Sequence, residues 1–137
     1  MSYTGDLSAQ DSWDVLNADE TSILIDVRTT AEWNLVGIPD LSTLSKEPLF
    51  LEWQSYPTMA INQDFIAQVK AKADEGQTIL CLCRSGARSA AAATALTAAG
   101  FSTVYNIAEG FEGNPNALGQ RGQTGGWKAA NLPWRQG

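Results

Sequence analysis

One short stretch of the chain concentrates the residues that could do chemistry. Its members are Cys83, Arg84, Ser85, Gly86, Ala87 and Arg88. The apolar run 79–82 precedes this stretch and predicts a central strand that is covered on both faces. The alanine-rich run 89–99 follows it and predicts a helix, which Gly100 would end with a left-handed residue. A loop between a strand and a helix places its N–H groups at the positive end of the helix dipole. The sequence therefore predicts an anion site that contains a thiol.

Cys83 is a nucleophile only as a thiolate, and a free thiol titrates near ~8.5. The sequence contains no histidine that could act as its base. The groups that favour a thiolate here are the helix N-terminus, the loop amides, Arg84 and Arg88, and the same groups would hold an anionic substrate. A thiolate without a general base suits a reaction that removes no proton from the substrate. Transfer of sulfur through a persulfide is such a reaction.

Four stretches of the chain resemble motifs of the rhodanese (sulfurtransferase) family. Residues 83–89 match the active-site loop of that family, C-R-x-G-x-R-S, and residues 24–33 are similar to its L-I-D-V-R-x-x-x-E-[YFW] stretch. Residues 106–110 and 126–133 resemble its glycine turn and its W-x-x-x-G-L-P ending. The resemblance spans roughly residues 7–134. The chain departs from the family over residues 36–41, where Ile38 and Pro39 are kept and the family's histidine is absent.

The resemblance implies a sulfurtransferase that moves a sulfane sulfur from a donor such as thiosulfate to a thiophilic acceptor through a persulfide on Cys83. It implies that the substrate is held by Arg84, Ser85, Gly86, Ala87 and Arg88, with no cofactor. The expected partners are a small sulfur-donor anion and a thiol or cyanide acceptor, and a protein acceptor of sulfur stays open. We expect Arg88 to assist donor binding and ionisation of the thiol, because its positive charge favours anions.

Asp26 and Arg28 follow a second buried strand, which the sequence predicts over residues 21–27. Ligands of parallel α/β sheets collect at the carboxyl ends of strands, so this pair is expected near Cys83. Two roles are open for the pair: a border of the sulfur pocket, or structural support in which Arg28 pairs with Glu32. Support is favoured, and Ser89 is placed in the same supporting set.

Composition predicts one globular domain over residues 1–137, with 44% hydrophobic and 18% charged residues. A net charge of −6 argues against nucleic acid or an acidic membrane as a partner. No apolar stretch approaches the ~20 residues that span a bilayer, and no signal peptide is visible. Two cysteines make no disulfide framework, and a working thiol needs a reducing compartment, so the cytoplasm is expected.

Alternation of strand and helix patterns predicts an α/β fold, with a mainly parallel central sheet and helices on both faces. Ser8 is the expected N-cap of the first helix, Thr29 or Thr30 of the second, and Asn62 of a third over residues 63–74. A last strand is predicted over residues 101–107 and a single helical turn over 127–130, ended by a left-handed Asn131.

A glycine-rich stretch over about residues 110–126 holds six glycines and looks like an insertion relative to the family. We expect it to bury almost nothing, and it follows the last long strand on the edge where Cys83 is expected. Two interpretations are open for the stretch: a mobile rim over the active site, tied by Trp127 and Trp134, or a solvated surface loop without effect on the site. Its one cation, Arg121, would be the residue there that helps to hold an anion.

Other kinds of site fit the residues around Cys83 less well. Cys81 lies on the same side of its strand as Cys83 and is expected to fill the core. Two cysteines without histidine do not supply the ligands of a metal site. Cysteine phosphatases and arsenate reductases use C-x-x-x-x-x-R, whereas Arg88 comes one residue too early after Cys83. A regulatory or sulfur-carrier domain without turnover remains the alternative from another class.

Overall fold

The structure, a computed structural model, describes residues 2–55, 58–121 and 125–136. Its strands are β1 (Gly5–Leu7), β2 (Ile23–Asp26), β3 (Ile38–Pro39), β4 (Leu49–Phe50), β5 (Gln54–Ser55), β6 (Ala60–Ile61), β7 (Thr78–Leu82), β8 (Thr103–Ile107) and β9 (Trp134–Arg135). Its helices are α1 (Ala9–Ala18), α2 (Thr30–Val36), α3 (Phe65–Lys70), α4 (Ala87–Ala98) and α5 (Gly126–Ala129). The predicted α/β class is confirmed.

Five strands form the central sheet in the order β1-β8-β7-β2-β4, and every neighbouring pair is parallel. The cysteine strand β7 lies in the middle, as its unbroken apolar run predicted. Beyond the end of the β2–β7 ladder, the Val27 N–H donates to the Leu82 carbonyl at 2.8 Å. This bond brings the residues that follow β2 and β7 to the same edge of the sheet.

Helices cover both faces of this sheet, which is why its strands carry no polar face. Helices α3 and α4 pack on the side chains of one face, among them Ile25, Ile79 and Cys81. Helices α1 and α5 pack on the opposite face, which carries Leu24, Leu80 and Leu82. Because side chains alternate along a strand, Cys81 and Cys83 share the face that α4 covers. The fully buried alanines of α4 let that helix lie close to the sheet.

Several predicted ends of helices are confirmed. The Ser8 hydroxyl accepts from the Asp11 N–H at 3.0 Å at the start of α1. Thr29 begins α2 in a reciprocal capping box with Glu32. Gly100 and Asn131 have φ values of +112° and +59°, the left-handed conformations expected after α4 and α5.

Two predicted helix boundaries are wrong. Helix α3 covers only Phe65–Lys70, and Asn62 accepts from the Asp64 N–H at 3.0 Å in the turn before it, so Asn62 is not the cap. Helix α4 begins at Ala87, two residues earlier than predicted. The alanine-rich sequence gives no clear start signal, which is why the prediction was two residues late. Ala87 and Arg88 belong to the first helical turn. None of the helices in the described ranges is long and apolar enough to cross a bilayer.

Candidate active site

Cys83 lies between the central strand and the first turn of α4. Its Sγ accepts the Gly86 N–H at 3.1 Å, and the side chain is buried. Gly86 has φ +110°, and a Cβ at this position would overlap the carbonyl oxygen of Ala108. Only glycine therefore fits the turn that aims this N–H at the sulfur. The sulfur lies at the N-terminus of a 12-residue helix, where the helix dipole favours negative charge.

Ser89 is the second polar neighbour of the sulfur. Its Oγ lies 3.2 Å from Cys83 Sγ, 3.2 Å from the Gly86 carbonyl oxygen and 2.5 Å from Asn106 Oδ1. Asn106 donates its amide to Asp6 at 3.1 Å, which turns its Oδ1 towards Ser89. The Ser89 hydroxyl therefore has three acceptors within hydrogen-bond distance, and one of them is the Cys83 sulfur. The sequence had not identified Asn106, whose motif position was its only signal.

The segment after β8 is hydrogen-bonded to the cysteine loop through its backbone. The Phe111 N–H donates to the Cys83 carbonyl at 2.8 Å. The Glu112 and Gly113 N–H groups both donate to the Arg84 carbonyl, at 3.0 and 3.1 Å. The first two carbonyls of the loop are therefore fixed by backbone bonds.

These contacts correct the expectation that residues 110–126 bury almost nothing. Phe111 is fully buried, and Gly110, with φ +67°, brings its backbone against the Arg84 carbonyl, where a side chain would collide. The start of the glycine-rich stretch is therefore part of the floor of the site. The sequence does not predict the burial of Phe111, because one aromatic residue among glycines shows no periodicity.

The Arg88 guanidinium is bound end-on by a carboxylate. Its two terminal nitrogens donate to the two oxygens of Glu32 at 2.6 and 2.9 Å. Burial opposes ionisation of Glu32, but Arg88 and Thr29 outweigh it and keep the pKa of Glu32 below its usual value. The hydrogen bonds that Arg88 donates to Glu32 raise the pKa of Arg88, so both partners are charged at neutral pH.

Arg84 is paired as well. Its Nε donates to Glu112 Oε1 at 3.1 Å, with the arginine side chain 45% exposed and the glutamate side chain 12% exposed. Glu112 was not predicted as a site residue, since nothing in the sequence places it beside residue 84. Each arginine of the cysteine loop thus has a carboxylate partner.

Asp26 and Arg28 are fully buried and pair with each other. Arg28 Nε and Nη2 donate to the two Asp26 oxygens at 2.9 and 2.7 Å, and Nη2 also donates to the Gly37 carbonyl at 2.9 Å. The guanidinium lies 4.4 Å from the centre of the Phe111 ring. The expected pairing of Arg28 with Glu32 is wrong, because Glu32 lies on Arg88 instead. The buried pair reaches the cysteine loop through Phe111.

The remaining predicted residues differ in their surroundings. Ser85 is half-buried and Ala87 is exposed, on either side of Gly86. Burial raises the pKa of the Cys81 thiol, so Cys81 stays protonated at neutral pH and packs in the core. No group of three or more cysteine, aspartate or glutamate side chains within the described ranges is arranged to hold a metal ion.

Beyond Gly113, the glycine-rich stretch forms a turn around Asn116, which accepts the N–H groups of Leu118 and Gln120. Arg121 donates to the Gly113 carbonyl at 2.7 Å, so one of its nitrogens holds the stretch itself. Residues 122–124 lie outside the described residues. Trp127 is buried and donates to the Pro133 carbonyl at 2.7 Å. That the stretch controls access to the site stays a prediction.

Known proteins similar to this chain were found by sequence and by structure. Residues 4–137 match the family described as the STR4 middle domain. The uncharacterised RP600 homolog of Rickettsia rickettsii is 40% identical over 126 residues, which cover 90% of this chain and 91% of that protein. The crystal structure of Rv0390 from M. tuberculosis matches with a TM-score of 0.91 at 41% identity, covering 98% of this chain and 99% of that one. The chloroplastic rhodanese-like domain-containing protein 4 of Arabidopsis thaliana is 27% identical over 127 residues, 93% of this chain and 25% of that protein.

Proposed function

This chain belongs to the STR4 middle-domain family of rhodanese-like proteins, and from that premise we propose that it is a sulfurtransferase working through a persulfide on Cys83. The observation that carries the proposal is the placement of Cys83 Sγ. The sulfur lies at the N-terminus of α4 and accepts the Gly86 N–H at 3.1 Å, with the Ser89 hydroxyl 3.2 Å away. These groups stabilise negative charge on sulfur and require no general base.

The reaction has two steps. The Cys83 thiolate attacks the outer sulfur of a donor such as thiosulfate, a new S–S bond forms, and sulfite leaves with the electron pair of the broken bond. A thiol or cyanide then attacks the outer sulfur of the persulfide and restores the thiolate. The Gly86 N–H stabilises the anionic sulfur before and after the first step. A protein thiol as acceptor is compatible with the same chemistry, and a cytoplasmic location stays a prediction.

Mass spectrometry of the intact protein tests the proposal. Incubation with thiosulfate, and separately with a small organic persulfide, should add one sulfur atom to the protein, and peptide mapping should place it on Cys83. Addition of cyanide or a thiol should remove it. A persulfide that forms but turns over with no small acceptor would favour a sulfur carrier instead. No added sulfur from either donor would refute the sulfurtransferase proposal.

Arg88→Ala should make Cys83 harder to ionise. The change removes a cation and leaves the half-buried Glu32 carboxylate without its guanidinium, so the field at the sulfur becomes more negative. We expect the pH midpoint of Cys83 alkylation by iodoacetamide to rise. In the double variant Glu32→Gln/Arg88→Ala, which removes both charges, the pH midpoint should return most of the way to that of the native protein. An unchanged midpoint in the single variant would make Arg88 purely structural.

Phosphatase activity should be absent. The loop places five residue steps between Cys83 and Arg88, one fewer than the C-x-x-x-x-x-R loop, and the Arg88 guanidinium is bound by Glu32. A smaller cradle without a free guanidinium does not fit a tetrahedral phosphoryl group. Hydrolysis of an aryl phosphate should stay at the background rate of the Cys83→Ser variant. Appreciable hydrolysis that depends on Cys83 would contradict this assignment.

A further inference from the structure

The charges around the cysteine loop cancel in pairs. Arg88 is held by both oxygens of Glu32, at 2.6 and 2.9 Å, and Arg84 is held by Glu112 at 3.1 Å. A third arginine, Arg28, is neutralised by the buried Asp26. The three guanidiniums that the sequence brings to this edge therefore contribute little net positive charge. The whole chain adds a net charge of −6.

A site of this kind discriminates between donors by their charge. The amide of Gly86 and the helix dipole attract the single negative charge of a sulfur anion. Thiosulfate is a dianion and releases sulfite, also a dianion, whereas a small persulfide R–S–S⁻ carries one charge and releases a thiolate RS⁻. The second charge of thiosulfate would need an unpaired cation, and the arginines beside Cys83 are already bound to carboxylates.

We propose that Glu32 and Glu112 are specificity-determining residues that set the donor class of this site: monoanionic organic persulfides are preferred over the dianion thiosulfate. This inference rests on the proposed function. In the donor step, the Cys83 thiolate attacks the outer sulfur of R–S–S⁻, the new Cys83–sulfur bond forms, and the thiolate RS⁻ leaves with the electron pair. The charge stays balanced, because two anions enter and two anions result.

The chain offers conservative variants that remove one negative charge each. Glu32→Gln keeps the residue type that a capping box accepts at this position of α2, so the helix start is preserved. Glu112→Gln keeps an oxygen for Arg84, and the backbone bond of residue 112 is untouched. Glu20→Gln is the matched control, because Glu20 is exposed and precedes β2, at the sheet edge opposite Cys83.

Single-turnover formation of the Cys83 persulfide is measured by mass spectrometry with two probes, thiosulfate and the persulfide of 2-mercaptoethanol. We expect Glu32→Gln to raise the ratio of thiosulfate rate to persulfide rate about tenfold over the native protein. Glu112→Gln should raise it about threefold, because water screens the half-exposed Arg84. Glu20→Gln should change it by less than about twofold. A ratio of the two donors is used because any change in the ionisation of Cys83 affects both equally.

The outcomes separate the two proposals. Persulfide formation from both donors, with a ratio that neither glutamate variant changes, overturns the assignment of Glu32 and Glu112 and leaves the sulfurtransferase proposal standing. Absence of any Cys83 persulfide with either donor overturns both. A rise in the ratio for Glu32→Gln and Glu112→Gln, with a flat control, supports the assignment of donor class.

Discussion

Cys83→Ser should fold like the native protein and lose sulfur transfer by at least about a thousandfold, since removal of a covalent nucleophile leaves only binding contributions. Serine fits the position well: its hydroxyl can accept the Gly86 N–H and meet Ser89, as the sulfur does. An alcohol, however, does not ionise at neutral pH without a base, and the chain has no histidine. Thiosulfate:cyanide transfer and the mass of the intact protein measure the loss.

Cys81→Ala is the matched control for this variant. Cys81 stands two residues earlier on the same face, is fully buried, and has a thiol whose pKa is raised by burial. This change should alter the rate of sulfur transfer by less than about threefold and leave the sulfur adduct on Cys83. The smaller side chain should cost a modest amount of stability. Retention of the adduct and the turnover in Cys83→Ser would show that the nucleophile had been misassigned.

Arg28→Met should destabilise the fold by about 3–5 kcal/mol, because it strands the buried Asp26 carboxylate without its cation. Both side chains are fully buried, so bulk water does not solvate the Asp26 carboxylate. The change also removes the hydrogen bond to the Gly37 carbonyl and the contact with Phe111 that supports the cysteine loop. Urea denaturation at neutral pH, followed by tryptophan fluorescence, measures the free energy of unfolding.

A double variant separates the cost of a stranded charge from the cost of lost packing. Asp26→Asn/Arg28→Met has no buried charge at this site, and the asparagine can still accept the Arg28-position N–H that Asp26 accepts at 3.2 Å. It should recover more than half of the lost stability, as neutral replacements of buried pairs commonly do. A double variant as unstable as Arg28→Met alone would mean that packing, not the buried charge, dominates the loss.

The sequence alone determined most of the fold. Unbroken apolar runs indicate strands covered on both faces, and β7 is indeed the centre of an all-parallel sheet. Capping residues act over three or four positions, so Ser8, Thr29, Gly100 and Asn131 could be identified by local pattern. The start of α4 has no such local signal. It is set by Gly86, whose backbone lies against Ala108, a contact between residues far apart in the chain.

The sequence also determined the chemistry on offer. A cysteine between an apolar strand and a helix, with glycine and arginine beside it and no histidine, indicates an anionic sulfur nucleophile. These are properties of residues adjacent in the chain, so their order was sufficient to predict them. The same holds for the motif resemblance, which the match over residues 4–137 confirms at the level of the family.

Only the tertiary structure decided which charges meet. Glu32 and Arg88 are 56 residues apart and Arg84 and Glu112 are 28 apart, and both pairs form because parallel strands bring their following loops to one edge. The expected pairing of Arg28 with Glu32 is wrong because the Arg28 guanidinium donates to both oxygens of Asp26, which lies two residues away in the chain. Ion pairing depends on distances of a few ångströms between side chains, and sequence patterns carry no such distances. The reactive cysteine could therefore be identified from its neighbours in the chain, whereas the net charge around it depends on contacts that only the tertiary structure makes.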